Sequence, residues 1–171
     1  MILEKVGNKY CLKDCKVLFP NFKGRPTRYN PEGALNFNVK IDDPAIAQEL
    51  ANDGFNVRLL NKLNDSDPDT WALKINLKYG LSKDGRKTGP QIKEVFEDRS
   101  AELNDTNVHS LDDMTIQRAI VEFRPFVYDE VQHKCSAWLN RAKFWVVDDW
   151  YSEGDGIGEG GLVMDDDDIP F

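Results

Sequence analysis

Ala119-Ile120-Val121-Glu122-Phe123-Arg124-Pro125-Phe126-Val127-Tyr128, then after a short break Lys134-Cys135-Ser136-Ala137-Trp138-Leu139-Asn140-Arg141-Ala142-Lys143-Phe144-Trp145-Val146-Val147, is the stretch that decides the fold. Both halves alternate with a period of two, the signature of strands with one buried face. In the first half Ala119, Val121, Phe123 and Val127 share the apolar parity, and Glu122, Arg124, Phe126 and Tyr128 the other. In the second, Trp138, Ala142, Phe144 and Val146 read as core, opposite Arg141, Lys143 and Trp145. The Asp129-Glu130 break between Ile116–Tyr128 and Lys134–Val147 predicts a hairpin.

Upstream the same period recurs. Cys15, Val17 and Phe19 share one parity, as do Leu35, Phe37, Val39 and Ile41, then Phe55, Val57 and Leu59, then Trp71, Leu73, Ile75, Leu77 and Tyr79. Gln91–Phe96 reads as a further strand, and Gly80–Pro90 as a basic hairpin loop with Lys83-Asp84-Gly85-Arg86-Lys87 at its tip. Residues 98–113 read as polar loop with at most a turn of helix. A short helix is predicted over Ala45–Asn52, with Asp43 as N-cap, Pro44 in the first turn and Gly54 beyond its end. Five or more amphipathic strands, one short helix and long basic loops give a mainly β chain. The leading architecture is an OB-fold-like, five-stranded Greek-key barrel, with a β-sandwich as the alternative.

The net charge of −8 conceals a division. Residues 152–171 hold seven acids and no base, leaving 22 basic and 23 acidic groups in residues 1–151. Within 1–151, residues 1–28 carry seven Lys or Arg against Glu4 and Asp14, and residues 71–93 carry six against Asp84. A near-neutral body with cations concentrated in this way can present a basic groove. No run approaches the ~20 apolar residues of a membrane helix. Three cysteines, Cys11, Cys15 and Cys135, argue against a secreted disulfide framework and for a reduced cytoplasmic protein. The domain expectation is a globular body over 1–151 and a flexible, Gly-rich acidic tail over 152–171.

Binding a single nucleic-acid strand needs cations for phosphates and flat rings for bases. The last hairpin offers Arg124, Phe126, Tyr128, Arg141, Lys143 and Trp145 on one face. The loop after the first long strand interleaves Phe22, Lys23, Arg25, Arg28 and Tyr29. Lys74 and Lys78 share the polar face of the Trp71 strand, and Arg86 and Lys87 tip the next loop. Each set also has a bland reading, as a face buried under a loop or as solvated surface.

The chain ends Asp165-Asp166-Asp167-Asp168-Ile169-Pro170-Phe171. Four adjacent carboxylates cannot enter a core, while a terminal Ile-Pro-Phe is more apolar than solubility requires. The pattern suits a linear peptide whose ring and carboxylate dock in a basic-rimmed apolar pocket, with the aspartates steering the approach. This ending resembles the acidic tip of bacterial-type single-stranded DNA-binding proteins (SSBs). The segments Asn36-Phe37-Asn38-Val39-Lys40-Ile41-Asp42, Asp53-Gly54-Phe55-Asn56-Val57 and Ala137-Trp138-Leu139-Asn140 resemble a divergent phage-encoded ssDNA-binding family with an OB-type body. The resemblance implies a replication, recombination or repair factor that recruits partner proteins through its tip, with a tail that competes with nucleic acid for the body. It leaves the chain as a monomer or homodimer.

Enzymatic readings have less to stand on. Gly85-Arg86-Lys87-Thr88 lacks the upstream glycine of a phosphate-binding loop, and no nucleophile–base motif surrounds His109 or His133. Cys11, Cys15, His133 and Cys135 are too scattered for zinc spacing and read as buried thiols and surface. No cofactor, metal or membrane partner is expected. Two alternatives to a non-catalytic ssDNA-binding protein stay open. One is a metal-dependent nuclease using clustered aspartates such as Asp112-Asp113 or Asp148-Asp149; the other is an adaptor that functions through its tail alone. A preference for RNA is equally compatible with stacking and phosphate binding.

Overall fold

The computed structural model describes residues 1–147. The described residues form eleven strands and one α-helix: β1 Ile2–Val6, β2 Lys9–Asn21, β3 Leu35–Ile41, α1 Pro44–Asn52, β4 Val57–Leu59, β5 Trp71–Leu77, β6 Gly80–Leu81, β7 Lys87–Thr88, β8 Gln91–Phe96, β9 Arg99–Leu103, β10 Thr115–Asp129 and β11 Lys134–Val147. A 3-10 helix, Val108–Asp113, precedes β10. Five strands close a barrel in the order β2–β3–β5–β11–β10 and back to β2. Every pairing in the ring is antiparallel except β5–β11, which is parallel through Ile75–Ala137 and Asn76–Trp138. That circuit is the Greek-key barrel expected from the sequence.

The core follows the parity of β3 and β5, with Phe37, Val39, Ile41, Leu73, Ile75 and Leu77 buried. Two aromatic clusters fill the barrel. Phe22, Phe37 and Phe144 meet at centroid distances of 5.4–5.7 Å. Tyr10, Phe55 and Phe123 meet at 5.0–5.6 Å. Edge-to-face and offset-stacked ring pairs of this kind contribute about 0.5–1.5 kcal/mol each beyond burial. Helix α1 starts as anticipated: the Asp43 side chain accepts from the Ala45 N–H at 2.9 Å, Pro44 opens the first turn, and Ile46, Ala47 and Leu50 are buried.

Strand β11 changes partners along its length. Its first half pairs β5, and Arg141–Val146 pairs β8 in parallel, so β8 and β9 form a flange beside the barrel. The β10–β11 register shifts where Glu122 faces Arg141 but Phe123 faces Leu139, leaving Asn140 as the extra residue of a bulge. A one-residue slip reverses which side chains face inward. Leu139, Ala137 and Cys135 are therefore buried, and Trp138 lies on the outer parity, opposite to its expected core position.

Other expectations need correction. Phe19, placed on one face with Cys15 and Val17, is 64 % exposed with φ 51° at a bulge in the β2–β3 ladder. Residues 98–113, read as loop, contain β9, whose polar, exposed sequence carries no apolar alternation. Strand β1 is likewise exposed and escaped the pattern. Burial raises the Cys11 and Cys15 thiols to about 11 and about 12, so both are protonated at neutral pH.

At the end of α1, Gly54 adopts φ +101° and passes so close to the β10–β11 turn that a Cβ there would sit 2.2 Å from the His133 carbonyl oxygen. The backbone closes the contact with a Cys135 N–H to Gly54 carbonyl bond of 2.9 Å. Gly54→Ala combines left-handed strain with a backbone clash and is expected to cost about 2 kcal/mol or more of stability. Urea unfolding measures this; an unchanged midpoint would show that α1 is not tied to the hairpin here.

Candidate nucleic-acid interface

The outer face of the barrel is built by register. Asn36 on β3 faces Asn76 on β5, Asn76 neighbours Trp138 on β11, and Trp138 faces Arg124 on β10. These four side chains make one row across four strands. In the next row Asn38 faces Lys74. Lys78 continues the outward parity of β5 beyond its end, and with Arg124, Trp138 and Asn140 it lines an open groove of about 730 Å³. The β6–β7 hairpin forms the other wall through Gly80, Leu81 and Thr88. The structure thus brings Lys74, Lys78 and Arg124 together, and adds Trp138, which the sequence reading assigned to the core.

Trp138 is half-buried, and its Nε1 donates to Ser136 Oγ at 3.0 Å, which fixes the ring beside the groove. Its sequence signal was present but inverted, since simple alternation from Ala142 back to Trp138 ignores the extra residue at Asn140. Phe126 and Tyr128 extend the same β10 face toward the turn and are 62 % and 59 % exposed. Tyr128 also borders a polar cleft with Asn52, Asn56 and Gln132.

Three members of the expected hairpin patch lie elsewhere. Trp145 is buried, held between the Arg118 guanidinium at 5.0 Å and the Lys143 ammonium at 5.2 Å from its ring centre. Lys143 is itself buried. Both take the outward parity, yet both are buried along the part of β11 that pairs with β8, so neither is open as Trp138 is. Arg141 is engaged in a two-pronged pair with Glu122, Nε and Nη2 each 3.0 Å from a carboxylate oxygen. Asn140 donates to the same carboxylate.

The loop between β2 and β3 is anchored at its base and presents its tip. Phe22 is a core residue, not a stacking platform. The Phe22 and Lys23 N–H groups donate to the two oxygens of Asp112 at 2.8 and 2.9 Å, and Lys23 Nζ pairs with Asp113 at 2.6 Å. Asp112-Asp113 is thus a loop anchor. Arg25, Arg28 and Tyr29 are exposed, with the Arg28 guanidinium 5.8 Å from the Tyr29 ring centre. Asn30 in this loop accepts from Lys74 Nζ and from Asn36, joining the tip to the face. Burial, then the nearby Arg58 charge, lowers the Lys74 ammonium from its ordinary value. Arg86 and Lys87 flank the groove wall in exposed pairs with Asp84 and Asp105, which hold them only weakly.

Among the described residues no three His, Cys, Asp or Glu side chains converge as a metal site. Asp148-Asp149 and the tip Asp165, Asp166, Asp167, Asp168, Ile169, Pro170 and Phe171 lie outside the described residues.

Residues 3–110 match the family described as "Putative phage ssDNA-binding domain". Among solved structures the chain is similar to the single-stranded DNA-binding protein from bacteriophage Enc34, at 13 % identity and TM-score 0.46 over 95 % of this chain and 96 % of that one. It is also similar to the same protein in complex with ssDNA, at 11 % identity and TM-score 0.47 over 85 % and 94 %. No curated protein matches the sequence. The family match spans more than half of the chain, and the chain belongs to that phage ssDNA-binding domain family.

The Glu122–Arg141 pair gives a pH signature. Arg141, ahead of the Asn140 hydrogen bond, holds the Glu122 carboxyl below its ordinary value. A carboxylate depressed in the folded state adds stability above its unfolded pKa of about 4.3, and that stability is lost as pH falls through the folded value. Glu122→Gln is expected to lower the melting temperature near neutral pH and to flatten its decline below about pH 4. Parallel acid limbs for the two proteins would remove Glu122 from this account.

Proposed function

We propose that this chain is a non-catalytic, largely sequence-independent ssDNA-binding protein that covers single strands during replication, recombination or repair in the cytoplasm of an infected bacterium. The observation that carries the reading is the row Asn36–Asn76–Trp138–Arg124, flanked by Lys74 and Lys78, on the outer surface of β3, β5, β11 and β10. In OB barrels that surface and the loops at its ends are where oligonucleotides lie. Trp138 stacks a base, while Lys74, Lys78 and Arg124 meet phosphates. Arg25, Arg28 and Tyr29 close over the strand from the β2–β3 loop, with Phe126 and Tyr128 on the opposite margin. Arg86 and Lys87 add cations along the hairpin wall. Membership of the phage ssDNA-binding family supports the same reading.

The terminal Asp165–Phe171 acts separately, recruiting partner proteins through an apolar hook steered by aspartates. The linker before it keeps the tip at high local concentration near whatever the body has bound.

Tryptophan-fluorescence titration with oligo-dT tests the body. Trp138→Ala is expected to weaken binding by about 1–3 kcal/mol, the usual worth of one stacked base, and to remove most of the quenching. Undiminished affinity would take Trp138 out of the interface, and failure of the natural protein to bind at low salt would end the reading. Deleting Asp165–Phe171 is expected to leave ssDNA affinity equal or higher while abolishing capture of host replication proteins. Lost ssDNA binding in that truncation would contradict the separation of roles.

A further inference from the structure

A second row lies two residues along β3 and β5 from Lys74. Lys16 on β2 faces Lys40 on β3, Lys40 faces Ala72 on β5, and Ala72 faces Arg58 on β4. Lys16 and Arg58 are exposed and Lys40 is half-buried. All three take the outward parity, the inward positions beside them being Val17, Val39 and Leu73. Directly opposed side chains on one sheet face stand about 4.5–5.5 Å apart at Cβ, and like charges so placed destabilise the pair. No described ion pair relieves this. Along the same strands the nearby acids are Asp14, which pairs with Arg118 at 3.3 Å, and Asp42, which enters no described pair. Arg58 Nη2 donates to Asn38 Oδ1 at 3.2 Å, which holds the guanidinium toward Lys74 rather than toward a carboxylate.

Ordinary surfaces intersperse the two signs. Three cations aligned across four strands, with two of them face to face, make an arrangement that folding alone does not favour. Polyanion binding does favour it. The row is continuous with the proposed strand path: Asn36, Asn38 and Lys40 are successive outward positions on β3, so the track from the Trp138 row to the Lys40 row is about 13 Å long at the usual rise of a strand. We propose that Lys16, Lys40 and Arg58 form a second phosphate-binding row, extending the single-strand track from Trp138 across β3 and β5 to the β4 edge. This rests on the reading of the face as an ssDNA interface. It assigns the path: the strand leaves the stacking groove between Trp138 and Lys78, passes Lys74, and ends on a purely electrostatic segment.

The test is the salt dependence of oligo-dT binding for Lys16→Ala, Lys40→Ala, Arg58→Ala and the triple variant, with Arg99→Ala on the flange as a charge control. Each lost phosphate contact on a single strand lowers the slope of log K against log salt by about 0.7, so the triple variant is expected to lose about 2. Saturating quenching, which reports Trp138, stays as in the natural protein. The melting temperature of Lys16→Ala is expected to hold or rise, since a like-charge pair is relieved, whereas a merely structural role would lower it. A triple variant with the natural slope, while Trp138→Ala still weakens binding, overturns the second row alone. No binding by the natural protein overturns both this and the reading beneath it. An equal slope loss in Arg99→Ala would reduce the effect to net charge and overturn the assignment.

Discussion

The candidate interface depends on how the barrel closes. Strand β11 meets β5 in parallel through two residue pairs, Ala137 with Ile75 and Trp138 with Asn76. The Asn76 side chain reinforces the seam by donating to the Ala137 carbonyl at 3.2 Å. Without that seam β5 would be an edge beside β4, and the outward residues of β3 and β5 would be separated from those of β10 and β11. With it, an aromatic side chain from β11 stands beside polar and cationic ones from β5, some sixty residues earlier in the chain. The bulge at Asn140 completes the arrangement. It allows β11 to leave β5 for β8, and by shifting parity it turns Trp138 outward while Leu139 enters the core.

Local patterns were legible where local rules decide. The alternation of β3 and β5, the Asp43 cap, Pro44 and the long closing hairpin could all be read from spacing, because burial on one side enforces a period of two and an exposed N-terminus needs an acceptor. What failed was parity across irregularities. Alternation counted back from Val146 through Ala142 gives Trp138 as core and Trp145 as surface, and both assignments reverse. Trp138 turns on the bulge, whereas Trp145 keeps its parity but is covered. Phe22 failed for a related reason. Its neighbours Lys23 and Arg25 suggest a solvated loop, yet Asp112, ninety residues later, binds the backbone there and draws the ring into the barrel. Polar edge strands such as β1 and β9 bury one residue or none and leave no periodic trace.

The charge distribution makes sense on this scaffold. Residues 94–113, rich in acids, form the β8–β9 flange and the 3-10 helix, while the outward residues of β2, β3, β4 and β5 carry Lys16, Lys40, Arg58 and Lys74. The net charge of −8 is therefore a poor guide to what this surface attracts. At physiological salt the screening length is about 8 Å, so a ligand near the face responds mainly to the charges next to it and little to acids more than that distance away.

The sequence independence proposed for this face has a physical basis in the asparagines. Side-chain amides are the groups best suited to reading base edges, and three of them stand on this face. Each is already engaged through one of its two polar atoms. Asn36 donates to Asn30 and the Ala34 carbonyl, Asn38 accepts from Arg58, and Asn76 donates to the Ala137 carbonyl. Asn36 and Asn38 are also buried, so recruiting them to a base would strip them of bonds that the interior requires. What remains for a ligand is a ring at Trp138, rings at Phe126, Tyr128 and Tyr29, and a set of cations. Stacking is available to every base, and phosphate contacts carry no sequence information. A face whose amides are tied into the barrel, and whose remaining chemistry is flat rings and positive charge, would discriminate a single strand by its accessible bases rather than by their order.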